Sequence, residues 1–159
     1  METAYLLLGT NDGAREKNLQ KAKELIEKEC GKIIRGSSVY ETEAWGLKEQ
    51  NSFLNEAVSI STLLDANSLL TALKNIEVQT GRTETVKWGP RVIDIDILFY
   101  GNETVSDADL KIPHPFIAER RFTLIPLNEI AGEFVHPILK KTIDELLVAC
   151  KDKSEVKIY

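Results

Sequence analysis

Hydrophobic and polar residues follow two different periods along this chain. Short runs in which apolar residues are continuous or alternate are typical of strands, and apolar residues three or four apart are typical of helices. Four runs predict strands: Thr3 to Leu8, Ile33 to Tyr40, Phe53 to Ser61 and Val92 to Tyr100. Helical spacing predicts three helices: Asp12 to Cys30, Asp65 to Gly81 and Lys141 to Cys150. Strands and helices therefore interleave along the chain.

The connections between these elements decide the fold class. The Gly-Asn pair at 101–102 is a turn signal, which is expected to fold Glu103 to Val105 back beside the preceding strand. Two prolines around His114 break the chain before a short helix through Arg120. Hairpins beside helical crossovers predict an α+β fold, a mostly antiparallel sheet flanked by helices in a ferredoxin-like layout. Because we find no repeat or linker, we expect residues 1–159 to form a single domain.

The composition is that of a globular protein with an acidic surface. Hydrophobic residues make up 43% of the chain, and 20 Lys and Arg against 25 Asp and Glu give a net charge of −5. This balance argues against nucleic acid and anionic membranes as partners. Cys30 and Cys150 have neither a CxxC partner nor zinc-ligand spacing, and the N-terminus lacks the basic leader of a signal peptide. We therefore expect two reduced cysteines in a cytoplasmic protein.

The last predicted strand carries two aspartates, although Asp is depleted in strands. Asp94 and Asp96 alternate with isoleucines, so their Cα atoms lie on one face of the strand, about 6.5–7 Å apart. Carboxylates at this spacing can converge on Mg²⁺, which keeps water positions that substrate phosphates can occupy. Two solvated aspartates on an exposed strand are the plainer alternative. Leu98 and Tyr100 follow them along the strand, which favours the wall of a cleft.

Cationic and aromatic side chains stand on both sides of the two aspartates. They are Arg82, Lys87, Trp88 and Arg91 before the strand, and Lys111, His114, Arg120 and Arg121 after it. Guanidinium groups bind phosphate oxygens in bidentate fashion, and an aromatic ring can stack on a planar ligand. Any single arginine is more often an ordinary surface charge, but the set predicts a polyphosphate site. The chain contains neither a Walker A sequence nor a kinase-type GxGxxG loop.

Taken together, these motifs resemble the 6-hydroxymethyl-7,8-dihydropterin pyrophosphokinase (HPPK) family of folate biosynthesis. The strongest match is WGPRVIDIDI, Trp88 to Ile97, which is similar to the family signature W-G-P-R-x-x-D-x-D-[IL]. Shorter matches follow in family order: Gly9-Thr10-Asn11, Tyr40-Glu41-Thr42, Phe53-Leu54-Asn55, Ile76-Glu77, Gly81-Arg82, Pro113-His114-Pro115 and Arg120-Arg121-Phe122. The resemblance covers essentially the whole chain.

The resemblance implies a diphosphotransferase that moves pyrophosphate from ATP to the hydroxymethyl group of the dihydropterin and releases AMP. Asp94 and Asp96 are then expected to hold two Mg²⁺ ions, and Arg82 and Arg91 to act with them as catalytic residues. The expected ATP site contains Leu70, Glu77, Arg82, Trp88, Arg91, Ile97, Lys111, His114 and Arg120. The expected pterin site contains Thr42, Trp45, Phe53, Asn55 and Phe122. The two phenylalanines are expected to stack on the pterin ring.

Two other functions fit the same fold class. A two-metal nucleotidyl transferase or cyclase can also use strand aspartates, but it gives Phe53, Asn55 and Phe122 little role. A regulatory domain that binds a small molecule would need neither Mg²⁺ nor both aspartates. The row of motifs favours the pyrophosphokinase, which we expect to act as a monomer without nucleic acid or membrane.

Overall fold

Strands and helices interleave in the computed structural model, which describes residues 1–43, 50–81 and 91–159. The strands are β1 (Glu2–Thr10), β2 (Gly31–Gly36), β3 (Tyr40–Thr42), β4 (Phe53–Thr62), β5 (Asp94–Tyr100), β6 (Val105–Ser106), β7 (Lys111–Ile112) and β8 (Lys157–Ile158). The helices are α1 (Arg15–Glu29), α2 (Ala66–Thr80), α3 (Arg121–Ala131) and α4 (Ile143–Ala149), with a 3₁₀ helix at Ile117–Glu119.

The main sheet has the strand order β5-β1-β4-β3-β8, and β2 pairs with β4 as well. Each of its described pairings is antiparallel. Helix α1 connects β1 to β2, and α2 connects β4 to β5. This βαββαβ arrangement is ferredoxin-like. The predicted α+β fold is therefore confirmed.

Helices α2 and α4 are capped by residues that satisfy terminal backbone groups. Before α2, the Asp65 side chain accepts the N–H of Ser68 at 2.7 Å, and Gly81 after it is left-handed with φ 110°. Thr142 and Glu145 form a capping box at the start of α4. Among the described helices, none combines the length and apolar character needed to cross a membrane.

Two apolar clusters cover the two faces of the sheet. The α1/α2 face is packed by Ala4, Leu6, Leu8, Leu54, Val58, Ile60, Ile95 and Ile97 of the sheet against Leu19, Ala22, Ile26, Leu69, Leu73 and Ile76 of the helices. The α3/α4 face is packed by Leu7, Ala57, Leu98 and Phe99 against Leu124, Leu127, Ile130, Ile143 and Leu146. Leu6, Leu7 and Leu8 alternate between the two clusters, as the strand period requires.

The predicted strand from Ile33 to Tyr40 is wrong as a single element, because β2 ends at Gly36 and β3 begins at Tyr40. The chain between them changes its pairing with β4. The Ser37 N–H donates to the Ala57 carbonyl at 2.8 Å, and the Ala57 N–H donates to the Ser37 hydroxyl at 3.0 Å. A side chain thus takes the place of a backbone acceptor, and the ladder is interrupted.

The predicted hairpin of Glu103 to Val105 with β5 is also wrong, because β6 pairs with β7 in a separate two-stranded sheet. The tight turn between β6 and β7 runs from Asp107 to Leu110, where the Asp107 N–H donates to the Leu110 carbonyl at 2.9 Å. The outer edge of β5 is used instead by the His114 N–H, which donates to the Leu98 carbonyl at 3.0 Å. His114 is thereby held beside β5.

Candidate active site

Asp94 and Asp96 lie on the α3/α4 face of β5. Asp96 is paired with Leu7 of β1, and Asp94 is paired with Gly9. Both aspartates are half-buried, whereas Ile95 between them is 5% exposed and packs on the opposite face. The alternation predicted from the sequence is therefore present, and both carboxylates leave the sheet on one side.

A cavity of about 270 Å³ opens at the two aspartates. It is lined by Leu70, Lys74, Glu77, Asp94, Ile95, Asp96, Ile97, Asp109, Leu110, Lys111, His114 and Pro115. Seven of these, Leu70, Glu77, Asp94, Asp96, Ile97, Lys111 and His114, are residues for which the sequence predicted a nucleotide or metal role. The structure thus brings residues from α2, β5 and β7 around the aspartates.

Glu77 on α2 is buried and fixes the strand between the two aspartates. Its Oε2 accepts the Ile95 N–H at 2.8 Å. Because β5 is the edge strand of the sheet, this N–H points away from β1 and needs a partner. The carboxylate supplies that partner, and the backbone between Asp94 and Asp96 is held in place.

His114 is a neutral donor on the far side of the cavity. Burial, and then the charge of Arg120, lower the pKa of His114 to about 4, while Asp94 acts in the opposite direction. Its Nδ1 accepts the Phe116 N–H at 3.2 Å, so the proton of the neutral ring lies on Nε2. The free N–H of the ring can therefore donate to an anionic oxygen.

Arg120 links this side of the site to Phe122. Its guanidinium carbon lies 4.7 Å from the ring centre of Phe116 and 5.6 Å from that of Phe122. Arg120 is outside the residues that line the cavity, but its charge acts on His114 within it. Stacking on two aromatic rings fixes a guanidinium between the cavity and the start of α3.

Three of the residues predicted to bind pterin, Thr42, Phe53 and Asn55, lie on the same face of the sheet, across β3 and β4. Asn55 is 4% exposed and Thr42 is 6% exposed, and the Asn55 Nδ2 donates to the Thr42 hydroxyl at 3.2 Å. Phe53, which precedes Asn55 on the same face of β4, is half-buried. A ring and a fixed amide are thus placed side by side at the ends of the strands.

Gly9 separates the two groups of residues. It is paired with Asp94 on one side and with Asn55 on the other, so the three residues form a row across the sheet. A Cβ at Gly9 would lie 3.0 Å from the Asn55 Oδ1 and 3.8 Å from the Phe53 ring. The missing side chain leaves space between an acidic group and an amide, and the sequence did not indicate this role.

Asn11, just after β1, joins both groups through its buried side chain. Its Oδ1 accepts the Arg91 N–H at 2.7 Å, and its own N–H donates to the Arg91 carbonyl at 2.9 Å. Its Nδ2 donates to the Gln50 Oε1 and to the Asn51 carbonyl, both at 3.1 Å. The segments that lead into β4 and β5 are therefore fastened to one residue.

The donor set fits a hard cation. Asp94 and Asp96 present oxygen ligands on one side of a strand at the mouth of a cavity, which is the chemistry that Mg²⁺ prefers. Among the described residues, no group of three or more His, Cys, Asp or Glu side chains is arranged to hold a metal. A cation held by the two aspartates would complete its shell with water and ligand oxygens.

Three predicted site residues, Trp45, Arg82 and Trp88, lie outside the described residues. So does the whole segment 82–90, which the family resemblance implies to be a lid over ATP. Arg91 is described and half-buried, and its backbone is bound to Asn11. The predicted roles of Trp45, Arg82, Trp88 and Arg91 stay predictions.

Comparison with known families gives one match that spans most of the chain. Residues 5–132 match the family model described as 7,8-dihydro-6-hydroxymethylpterin-pyrophosphokinase (HPPK). The matched range contains every residue of the cavity and of the row across Gly9.

Similar proteins are known from several bacteria. The chain is 45% identical over 145 residues to a 2-amino-4-hydroxy-6-hydroxymethyldihydropteridine pyrophosphokinase of Aquifex aeolicus, which covers 91% of this chain and 90% of that protein. It is 43% identical over 131 residues to the protein of the same name from Bacillus subtilis, covering 82% of this chain and 78% of that protein.

A solved structure shares the fold. A crystal structure of wild-type HPPK-DHPS from Plasmodium falciparum matches with a TM-score of 0.75 and 24% sequence identity. The match covers 94% of this chain and 43% of that one, so the chain spans less than half of that longer protein.

Proposed function

The chain belongs to the 7,8-dihydro-6-hydroxymethylpterin-pyrophosphokinase family, and we propose how its residues carry out the reaction of that family. It is a pyrophosphokinase of folate biosynthesis, which transfers pyrophosphate from ATP to the hydroxymethyl group of 6-hydroxymethyl-7,8-dihydropterin. The hydroxymethyl oxygen bonds to the β-phosphorus of ATP and gives up its proton. The bond from that phosphorus to the oxygen shared with the α-phosphate breaks, and AMP leaves with the electron pair.

The observation that carries the assignment of sites is the row formed by Asp94, Gly9 and Asn55 across three adjacent strands. We place the pterin at Asn55 and the triphosphate at Asp94, so that the hydroxymethyl group lies over Gly9. This arrangement supports the reaction because it holds the attacking oxygen and the phosphorus next to each other, and positioning supplies a large part of the rate.

On the nucleotide side, Asp94 and Asp96 hold Mg²⁺, for which we propose two ions. Bound magnesium neutralises charge on the triphosphate and favours an in-line displacement. Glu77 keeps the backbone between the aspartates fixed through its bond to the Ile95 N–H. His114 donates from Nε2 to a phosphate oxygen, and its low pKa leaves the donor neutral at neutral pH.

The remaining nucleotide contacts come from the rim of the cavity. Leu70 and Ile97 supply apolar surface for the adenine ring, and Lys111 supplies a cation near the phosphates. Arg120, fixed on its two aromatic rings, is placed to reach the phosphates or the ribose. The proposed phosphate contacts of Arg82 and Arg91 and the lid role of Trp88 rest on the family resemblance.

On the pterin side, the described residues offer both a stacking surface and an amide. Phe53 and Phe122 stack on the two faces of the flat ring. Asn55 reads its polar edge, since a side-chain amide offers both a donor and an acceptor. The bond from Asn55 to Thr42 fixes the direction of that amide. Trp45 is proposed to contribute on the strength of the resemblance.

One incubation tests the proposal. The protein is mixed with ATP, Mg²⁺ and 6-hydroxymethyl-7,8-dihydropterin, and the products are separated by chromatography. AMP and the pterin diphosphate should appear in equal amounts, and chelation of the metal should stop their formation. ADP as the sole nucleotide product, or the absence of turnover, would overturn it.

We propose further that residues 1–159 act as one monomeric domain in the cytoplasm.

A further inference from the structure

The segment 152–159, which we call the C-terminal strap, crosses the molecule beside the proposed pterin site. It lies beyond residue 132, where the match to the family model ends. Its strand β8 extends the main sheet by pairing with β3, with Tyr40 opposite Ile158 and Glu41 opposite Lys157. The residue that follows Glu41 is Thr42, which holds the amide of Asn55. One end of the strap is therefore attached to the sheet side of the pterin site.

The other end of the strap is attached to the start of α3. The Asp152 Oδ2 accepts the Arg121 N–H at 3.0 Å. Its Oδ1 accepts from the N–H and the hydroxyl of Ser154 at 2.9 Å and 2.6 Å, which fix the carboxylate. Arg121 N–H is among the first N–H groups of α3, which have no partner within the helix, and Phe122 is the next residue. Asp152 thus holds the turn that carries Phe122.

Tyr159 connects the strap to Arg15 at the start of α1. Its N–H donates to the Val39 carbonyl at 2.9 Å, and its hydroxyl donates to Glu16 at 2.5 Å. The Arg15 guanidinium carbon lies 5.5 Å from the centre of the Tyr159 ring. The ring therefore covers one side of the guanidinium and keeps water from it, which strengthens the bonds that the guanidinium makes.

Arg15 in turn bonds the two residues that directly precede Thr42 and Phe53 of the proposed pterin site. Its Nη1 donates to the Glu41 carboxylate at 2.8 Å and to the Ser52 carbonyl at 2.9 Å. Glu41 directly precedes Thr42, and Ser52 directly precedes Phe53. The Arg15 side chain is only 23% exposed, so these are partly buried, charge-assisted bonds.

We propose that the C-terminal strap sets the width of the pterin site, with Arg15 as a positioning residue that acts through Thr42 and Phe53. The inference rests on the proposed function, because the site it shapes is the one assigned to the pterin. Stacking of a flat ring between two aromatics depends on their separation, and the strap contacts both sides of that gap. Among the described residues, none of the hydrogen bonds, strand pairs and ring contacts of the strap reaches a residue that lines the nucleotide cavity, so we expect its effect to fall on the pterin.

The first test compares Michaelis constants for the two substrates. Arg15→Ala should raise the pterin KM about tenfold, which corresponds to ~1.4 kcal/mol, and leave the ATP KM within about twofold of the wild type. Arg35→Ala is the matched control, because Arg35 also bonds a carbonyl, that of Ile130 at 2.8 Å, but does so away from the site. An unchanged pterin KM in Arg15→Ala, or an equal rise in both constants, would overturn the inference.

A second set of variants asks whether Tyr159 acts through Arg15. Tyr159→Ala should raise the pterin KM about threefold, whereas Tyr159→Phe keeps the ring and should rescue most of that loss. In the double variant, Tyr159→Ala should add nothing to the effect of Arg15→Ala, since coupled residues are not additive. Additive effects would show that Tyr159 does not act through Arg15, which would contradict the proposed chain of contacts.

Hydrogen exchange tests the strap without relying on catalysis. In Tyr159→Ala, amide exchange should become faster in β3 and in the first residues of β4, and it should stay unchanged in β5. Unchanged exchange in β3 and β4 would overturn the inference even in an active enzyme. If exchange in β3 and β4 becomes faster in Tyr159→Ala as expected, but the wild-type protein shows no turnover, the result would contradict the proposed function alone.

Discussion

The two faces of the main sheet carry different kinds of side chains along the same strands. On the α1/α2 face, most side chains of β1, β4 and β5 are aliphatic and are buried by the helices, and the buried Glu56 of β4 is paired with Lys23 of α1 at 3.1 Å. On the α3/α4 face, the apolar residues Leu7, Ala57 and Leu98 occupy only one end of these strands. At the other end, that face carries aspartates, a glycine and an amide. The same backbone therefore supports a core on one side and the proposed reaction site on the other.

The difference teaches which residues are free to serve chemistry. Ile95 and Asp96 are neighbours on one strand, yet Ile95 is 5% exposed and belongs to the packed cluster, whereas Asp96 is half-buried and belongs to neither cluster. Burial on one face fixes the position of the strand, and this fixes the direction of the side chains on the other face. The apolar face thus makes the polar face rigid, which a site for an in-line transfer requires.

The largest expected effect on the polar face comes from a change of one carboxylate. Asp96→Asn should lower kcat/KM about a thousandfold, because charge stabilisation through a bound metal is worth several kcal/mol. The melting temperature should not fall, since Asp96 is not part of either apolar cluster. Steady-state kinetics and thermal denaturation measure the two quantities. Asp107→Asn, an exposed aspartate in the β6–β7 hairpin, is the control and should remain fully active.

A change on the packed face should have the opposite result, a loss of stability with unchanged Michaelis constants. Ile26→Ala removes a side chain of α1 with no exposed surface, and it should lower the free energy of unfolding by about 2–5 kcal/mol. Both KM values should stay as in the wild type below the melting transition. Ile34 in β2 is 56% exposed, so Ile34→Ala should change stability by no more than about 0.5 kcal/mol. Urea denaturation separates the two variants, and equal losses would contradict the assignment of the core.

The sequence was sufficient to predict elements in which a period and a boundary signal agree. Helix α2 has apolar residues on one face, Asp65 before it and Gly81 after it, and all of these have the predicted role. Strand β5 was predicted with both aspartates on one face, because alternation with buried isoleucines leaves no other placement. Local signals of this kind need no knowledge of the remaining chain.

Elements that depend on distant partners were not predicted. Strand β8 has two residues and exists through its pairing with β3. Helix α3 contains Pro126, which normally argues against a helix interior, and it is stabilised by packing on β4 and α4. The break between β2 and β3 depends on a hydrogen bond between Ser37 and Ala57, twenty residues apart in the sequence. None of these contacts has a local sequence signal.

The candidate site shows the same division. The aspartates, Glu77 and His114 were recognised as residue types, but the bond from Glu77 to Ile95 required the observed packing of α2 on β5. Lys74 was missed, although Leu70, Lys74 and Glu77 are spaced four and three residues apart and share one face of α2. That spacing was the available signal. The role of Gly9 depends on the register of three strands, and the sequence alone does not determine it.

A smaller effect is expected for Phe122 at the start of α3, whose ring we propose to stack on the pterin. Phe122→Ala should weaken pterin binding about thirtyfold, or ~2 kcal/mol, because one stacked ring contributes about 1–3 kcal/mol. ATP binding should weaken much less. Phe116→Ala is a matched control, since Phe116 also contacts Arg120 but is 44% exposed. Isothermal titration with each substrate measures both constants, and equal losses would count against a stacking role for Phe122.

The smallest expected effect tests the space above Gly9 itself. In Gly9→Ala the new methyl group would lie 3.0 Å from the Asn55 Oδ1, so the amide must shift by a few tenths of an ångström. We expect the pterin KM to rise about fivefold, or ~1 kcal/mol, with little change in the ATP KM. Gly36→Ala serves as the control, because its Cβ would meet Glu56 at an ordinary 3.4 Å. If Gly9→Ala instead lowers stability and leaves the pterin KM unchanged, Gly9 belongs to the packing of the sheet and not to the reaction site.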